Sequence, residues 1–126
     1  MNEAIATSAA PSAIGPYSQA IRLGNLLFVS GQLGLDTASG ELVSENAVDQ
    51  ARQALANLAA IAAAADTDVS KTVKTTIFLT DLSCFADINA AFGDAFTQPY
   101  PARSTIEVSA LPKGAKVEIE AIIALE

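Results

Sequence analysis

The sequence predicts an α+β fold, in which one mixed six-stranded sheet carries two helices on one face. Only two stretches have the period of a helix, short β-rich stretches surround them, and the elements follow in the order β-β-β-α-β-α-β-β. The chain has 126 residues, which suits a single domain over residues 1–126 with one core. The second face of the sheet must also be buried. Only 17% of the residues are charged, which favours burial of this face against other copies of the chain.

The first three strands are predicted near the N-terminus. Residues 4–7 are predicted to form a short edge strand, and the small, polar residues that follow form a loop. Gln19–Leu23 and Leu26–Ser30 are predicted to form a hairpin, because Gly24-Asn25 suits a tight turn. Gly31-Gln32 is expected to end the third strand, and a glycine there lets another group approach the backbone closely.

The two helices are predicted at residues 46–65 and 85–97. In the first, apolar residues recur at helical spacing, and Asn46 suits the N-terminal end. In the second, Phe85, Ile88, Phe92 and Phe96 have the same spacing. Between the helices, the β-branched run 72–80 predicts a strand.

The stretch from Pro101 to Glu120 is predicted to form the last two strands. Alternation places Arg103, Thr105 and Glu107 on one face of the first strand. In the second strand, Glu118 and Glu120 lie on one face, and Val117 and Ile119 lie on the other. The turn 111–114 is expected to fold the two strands back toward each other. Two interpretations follow: a small-anion site with an arginine fork and a nearby base, or a solvated strand face with ion pairs.

Composition excludes several classes of function. The net charge of −7 and the scattered basic residues make nucleic acid and anionic membranes poor partners. The absence of histidine removes Ser-His and Cys-His catalysis, together with the commonest metal ligand. Cys84 is the only cysteine, so no intrachain disulfide can form. No segment reaches the roughly 20 apolar residues that span a bilayer, and we expect a cytoplasmic protein.

Three further positions are candidates for a binding site, each with a simpler structural alternative. The turn Gly15-Pro16 holds Tyr17 in a defined place, either as a cap on the core or as a phenol presented to a pocket. Ser30 and the Gly31 N–H either bind an anion or belong to a strand-ending turn. Asn89 lies near the apolar side of its helix, where its amide orders a loop or touches a ligand.

The sequence resembles the RidA family, also called YjgF/UK114, over almost its whole length. No single motif is specific, but their joint occurrence in this order is. The motifs are Ala13-Ile14-Gly15-Pro16-Tyr17 with Gln19-Ala20, Ser30-Gly31-Gln32, residues 73–82, Asn89, Pro101-Ala102-Arg103-Ser104, Glu107-Val108, Leu111-Pro112 and Glu118-Ile119-Glu120-Ala121.

The resemblance implies a chorismate-mutase-like fold, a homotrimer with intersubunit sites, and hydrolysis of reactive enamines and imines of amino acids to 2-oxo acids and ammonia. It implies no cofactor and no metal. Arg103 resembles the family arginine that clamps the substrate carboxylate, Glu118 the residue that positions or activates water, and Tyr17 the pocket tyrosine. Gly31 and Thr105 match positions whose backbone groups meet the ligand, and Ser30 and Asn89 are further substrate-binding candidates.

Some questions stay open at the level of sequence. Thr105 stands where the family often has cysteine, and the connector between Asn89 and Arg103 looks shorter than in familiar bacterial members, which leaves substrate size undetermined. Burial would raise the pKa of Glu118, whereas a nearby Arg103 would lower it. The alternative function is a non-catalytic trimer that binds or senses 2-oxo acids. A ribonuclease, the third class, is disfavoured by the acidic charge and the absence of histidine.

Overall fold

The computed structural model describes residues 1–126 and has the predicted α+β architecture, with a six-stranded sheet and two helices. Three short 3₁₀ turns complete it, at Val69–Lys71, Leu82–Cys84 and Pro112–Gly114. In chain order, the strands and helices are β1 Glu3–Ile5, β2 Ala20–Leu23, β3 Leu26–Leu33, α1 Ala47–Ala64, β4 Thr72–Leu79, α2 Phe85–Ala95, β5 Ala102–Glu107 and β6 Val117–Ala124. The predicted order of elements is therefore confirmed.

The strands are arranged in the order β1-β2-β3-β6-β4-β5, and only β4 and β5 run parallel. The expectation that the turn at 111–114 pairs the last two strands is wrong, because β4 lies between β5 and β6. Strand β6 pairs antiparallel with both β3 and β4, so it occupies the centre of the sheet. Strand β5 forms one edge.

Strand β3 is longer than predicted, because Gly31-Gln32 does not end it. The pairing with β6 shifts between Val29 and Gln32 and then continues to Leu33. Ser30 and Gly31 therefore form a β-bulge, which inserts an extra residue into the strand and locally redirects it.

Helix α1 covers the central strands and begins as the sequence predicts. The Asn46 side chain accepts hydrogen bonds from the backbone N–H groups of Val48 and Asp49, which caps the helix. The helix packs closely on the sheet at Gly34, where a Cβ atom would lie 2.4 Å from the Gln50 Cα. Helix α2 packs beside α1, and both helices contribute to one core on the same side of the sheet.

The sheet face away from the helices, here called the open face, carries several exposed hydrophobic side chains. Its exposed hydrophobic side chains include Leu23, Leu26, Phe28 and Ile106, with exposed fractions of 37–47%. Exposed hydrophobic side chains grouped on one face mark an interaction site more often than a free surface. Neither helix has the length and apolarity needed to cross a bilayer.

Candidate functional site

The predicted site residues line two separate cavities in the single chain. The first, here called the acidic half-site, has a volume of about 510 Å³ and is lined by Tyr17, Ser30, Gly31 and Glu118, among others. The second, here called the arginine half-site, has a volume of about 480 Å³. Its lining residues are Asn89, Phe92, Gly93, Tyr100, Pro101 and Arg103. No residue is shared between the two linings.

The alternation of β6 places Glu118 on the open face. Its neighbours Val117 and Ile119 are fully buried toward the helices, so the side chain of Glu118 must emerge on the other side. Strand β3 makes room for it at the bulge. A Cβ atom on Gly31 would lie 2.7 Å from the Glu118 Cδ and 3.0 Å from its Oε1. The prediction that a group approaches the backbone closely at Gly31 is confirmed, and that group is the Glu118 carboxyl.

Within the single chain, the pKa of Glu118 is raised above its ordinary value. Partial burial is the main cause, and the negative charge of Glu120, which lines the same cavity, is the second. Arg103 contributes no lowering within the chain. A carboxyl with a raised pKa exchanges a proton more readily near neutral pH than an ordinary glutamate does.

Tyr17 stands at the mouth of the acidic half-site and is 55% exposed, so it does not cap the core. The turn before it depends on Gly15, whose φ of 124° is a conformation that other residues rarely adopt. The Tyr17 N–H donates to the Gly15 carbonyl at 2.9 Å, and the Ile14 N–H donates to the Tyr17 hydroxyl at 3.3 Å. The phenol is thus held in place by its own loop.

Gln19 anchors this loop, a role that sequence reasoning missed. Its buried side-chain amide donates to the carbonyls of Thr7 at 3.1 Å, Ala10 at 3.4 Å and Pro11 at 2.7 Å. Its Oε1 accepts from the Thr7 N–H at 2.7 Å. In the sequence, Gln19 begins a predicted strand and belongs to the Gln19-Ala20 motif, but neither feature distinguishes an anchor from a surface residue.

Ser30 connects the bulge to the loop that carries Tyr17. Its hydroxyl donates to the Ser18 carbonyl at 2.5 Å, and its N–H donates to the Gln19 carbonyl at 2.9 Å. Since its one hydroxyl hydrogen is already used, Ser30 can meet a ligand only as an acceptor.

Arg103 lies on the opposite face of the sheet from Glu118. It is in register with Thr75 of β4, which is completely buried beneath the helices. Its guanidinium carbon lies over two phenyl rings of α2, 5.5 Å from the centroid of Phe85 and 4.9 Å from that of Phe92. The other two arginines, Arg22 and Arg52, each pair with a carboxylate, whereas Arg103 pairs with none.

Asn89 and Thr105 are the remaining candidates. Asn89 is exposed on α2 and lines the arginine half-site, so its amide does not order a loop within the chain. Thr105 is two residues from Arg103 on the same face of β5, and its Oγ1 is buried without a hydrogen-bond partner. It lines neither cavity.

The single chain therefore separates the candidate clamp from the candidate base. Strand β4 lies between the strands that carry Arg103 and Glu118, and the two side chains point to opposite faces. No group of three or more histidine, cysteine, aspartate or glutamate side chains is arranged to hold a metal ion.

Comparisons with known proteins agree with this fold and these motifs. The family model described as Endoribonuclease L-PSP matches residues 7–125. The RutC family protein y4sK of Sinorhizobium fredii is 66% identical over 125 residues, which cover 99% of each chain. The 2-iminobutanoate/2-iminopropanoate deaminase of Capra hircus is 48% identical over 118 residues, which cover 94% of this chain and 86% of that protein.

Two solved structures are similar along nearly the whole chain. RidA from the Antarctic bacterium Psychrobacter superposes with a TM-score of 0.93 at 46% identity, covering 97% of this chain and 98% of that one. E. coli TdcF with bound serine superposes with a TM-score of 0.90 at 42% identity, with the same coverage. The chain therefore belongs to the RidA/YjgF family, whose model carries the description Endoribonuclease L-PSP.

Proposed function

We propose that this protein is an enamine/imine deaminase. Its substrates are intermediates of the 2-aminoacrylate/2-iminopropanoate and 2-iminobutanoate type, and its products are 2-oxo acids and ammonia. The observation that carries the proposal is the unpaired guanidinium of Arg103 in an open cavity, within a family where relatives 45–50% identical are named for this activity. More generally, a hydrolase that acts on a C–N bond of this kind needs only an acid–base group and a residue that binds the substrate carboxylate.

Arg103 supplies the clamp. Its planar fork can bind both oxygens of the substrate carboxylate, which a lysine ammonium cannot do. No carboxylate of the chain competes for it. The related E. coli TdcF is described with bound serine, a ligand that carries the same type of carboxylate.

Glu118 supplies the base. It takes a proton from a water whose oxygen bonds to the imine carbon, which gives a carbinolamine. The protonated Glu118 then gives this proton to the amino nitrogen, the C–N bond breaks to release ammonia, and the former hydroxyl loses its proton to water or ammonia, which leaves the carbonyl of the 2-oxo acid. A raised pKa makes the carboxylate a stronger base for the uptake of the proton, and such acid–base assistance contributes roughly 10²–10⁴-fold.

The two half-sites need a second copy of the chain to act on one substrate. We propose a homotrimer in which the arginine half-site of one subunit faces the acidic half-site of the next. The separation of Arg103 from Glu118 supports this arrangement, and so does the exposed apolar side of the sheet. Burial of the open face would stabilise such an assembly at about 25 cal/mol per Å² of apolar surface.

The test uses mixed trimers. Arg103→Ala and Glu118→Ala homotrimers are each expected to lose 2-oxo acid formation from freshly generated 2-iminobutanoate. Mixing the two variants under conditions of subunit exchange should restore part of the activity, because some sites then receive both native residues. An active Arg103→Ala trimer would refute the role of the clamp, and failure of an exchanged mixture to recover would refute the shared site.

The second candidate is a non-catalytic protein that binds 2-oxo acids. One observation favours it: the arginine half-site is lined by no carboxylate of its own. Saturable binding of 2-oxobutanoate without faster loss of 2-iminobutanoate would support this alternative over the deaminase.

A further inference from the structure

We propose that Phe85 is a positioning residue for Arg103. The aromatic ring of Phe85 holds the guanidinium of Arg103 in place and leaves its N–H donors free to bind an anion. This inference rests on the proposed role of Arg103 as the carboxylate clamp, but it does not depend on turnover.

The geometry of α2 places two rings beneath one guanidinium. Phe85 and Phe92 are seven residues apart, which puts them two turns apart on one face of the helix. The Arg103 guanidinium carbon lies 5.5 Å and 4.9 Å from their centroids, within the range of about 6 Å for cation–π contact.

An aromatic support differs from an ion pair in what it leaves available. A carboxylate at Arg103 would occupy the N–H donors of the fork, and an incoming substrate would have to displace it. A phenyl face attracts the cation through its quadrupole and leaves those donors free. The clamp is therefore held in place before the ligand arrives, which lowers the ordering cost of binding.

Phe85 has no comparable role in the core. It is 38% exposed at the first position of α2, whereas Phe92 is 5% exposed and packs on Phe96 with ring centroids 4.4 Å apart. Replacing Phe92 would leave a cavity and destabilise the fold. Phe85 is therefore the position at which the support can be removed while the core stays intact.

The experiment compares Phe85→Leu with Phe85→Tyr in the full-length protein. Leucine keeps much of the apolar volume without the ring, and tyrosine restores the ring. We expect Phe85→Leu to weaken 2-oxobutanoate binding about two- to fivefold, the value of an exposed cation–π contact. KM for 2-iminobutanoate should rise by the same factor with kcat nearly unchanged, since the loss affects ground-state and transition-state binding alike. Phe85→Tyr should bind like the wild type.

Leu82→Ala is the matched control, because it removes an exposed apolar side chain just before α2 that lines neither cavity. Its binding should be unchanged. Wild-type binding by Phe85→Leu would overturn the inference, and so would an equal loss in Phe85→Leu and Phe85→Tyr. If the wild type binds 2-oxobutanoate through Arg103 but hydrolyses no imine, the deaminase proposal fails while the binding comparison still decides the role of Phe85.

Discussion

Gly31→Ala gives the most direct test of how Glu118 is positioned. The new methyl group would lie 2.7 Å from the Glu118 Cδ and 3.0 Å from its Cγ. An ordinary contact of this kind begins near 3.4 Å, so the carboxyl must move by about 0.7 Å or more. Gly31 lies outside the left-handed region of φ, so alanine is compatible with the backbone itself.

The displacement is large enough to affect catalysis. A misplacement of about 1 Å can cost roughly 10²-fold in rate, so we expect kcat to fall about 10- to 100-fold. This corresponds to about 1.4–2.7 kcal/mol of transition-state stabilisation. The substitution leaves Arg103 and its contacts with Phe85 and Phe92 unchanged within the chain, so the affinity for 2-oxobutanoate should fall less than kcat does.

The assay follows the loss of freshly generated 2-iminobutanoate for the wild type, Gly31→Ala, Glu118→Ala and the double variant. Glu118→Ala removes the atoms that the new methyl group would meet. Adding Gly31→Ala to that background should therefore cost less than about twofold. Losses that multiply in the double variant would refute the argument, because Gly31 would then act independently of Glu118.

Four further outcomes follow from the site and from the charge of the chain. Arg103→Lys should lower kcat/KM about 10- to 100-fold in the deaminase assay, because it keeps the charge but loses one charge-assisted hydrogen bond of the fork. Glu120→Gln should shift the acidic limb of the kcat/KM–pH profile to lower pH. The substitution removes a negative charge that raises the pKa of Glu118, so Glu118 stays ionised at lower pH and can still act as the base. An acidic limb that does not move would contradict this. Glu118→Gln should raise the urea midpoint of unfolding more at pH 8 than at pH 5. A carboxyl whose pKa is higher in the folded than in the unfolded state lowers the free energy of unfolding as pH rises through that higher pKa, and glutamine removes this loss. Purified protein should leave single-stranded RNA intact by gel electrophoresis, because the net charge is −7; cleavage that disappears in Arg103→Ala would reverse this expectation.

Elements governed by local rules could be predicted from the sequence. Helix α1 differs from its predicted bounds by one residue at each end, because apolar spacing and the Asn46 cap act within a few residues of each other. The end of β3 could not be predicted in this way. A glycine after a strand looks like a stop, but pairing with β6, nearly 90 residues later, carries β3 across the bulge to Leu33.

The relation between Arg103 and Glu118 needed information that no single strand contains. Alternation assigns side chains to two faces within a strand, but it does not say which face of one strand continues which face of another. That relation depends on the strand order, and the insertion of β4 between β5 and β6 is a long-range pairing. The resemblance to the RidA family identified the two residues, but it did not show how they are arranged within a single chain.

The alternation in strand β5 does not show which of its faces points toward the helices. Ile106 and Val108 alternate with polar residues, which in an isolated domain would point the apolar side toward the core. In the structure, Arg103 points toward α2, while Ile106 lies on the open face with 44% of its surface exposed. An apolar residue at such a position is explained if another copy of the chain covers it, as proposed for the trimer. The alternation in β5 then describes the assembled protein, and the same assembly would bring Glu118 of one subunit to Arg103 of the next.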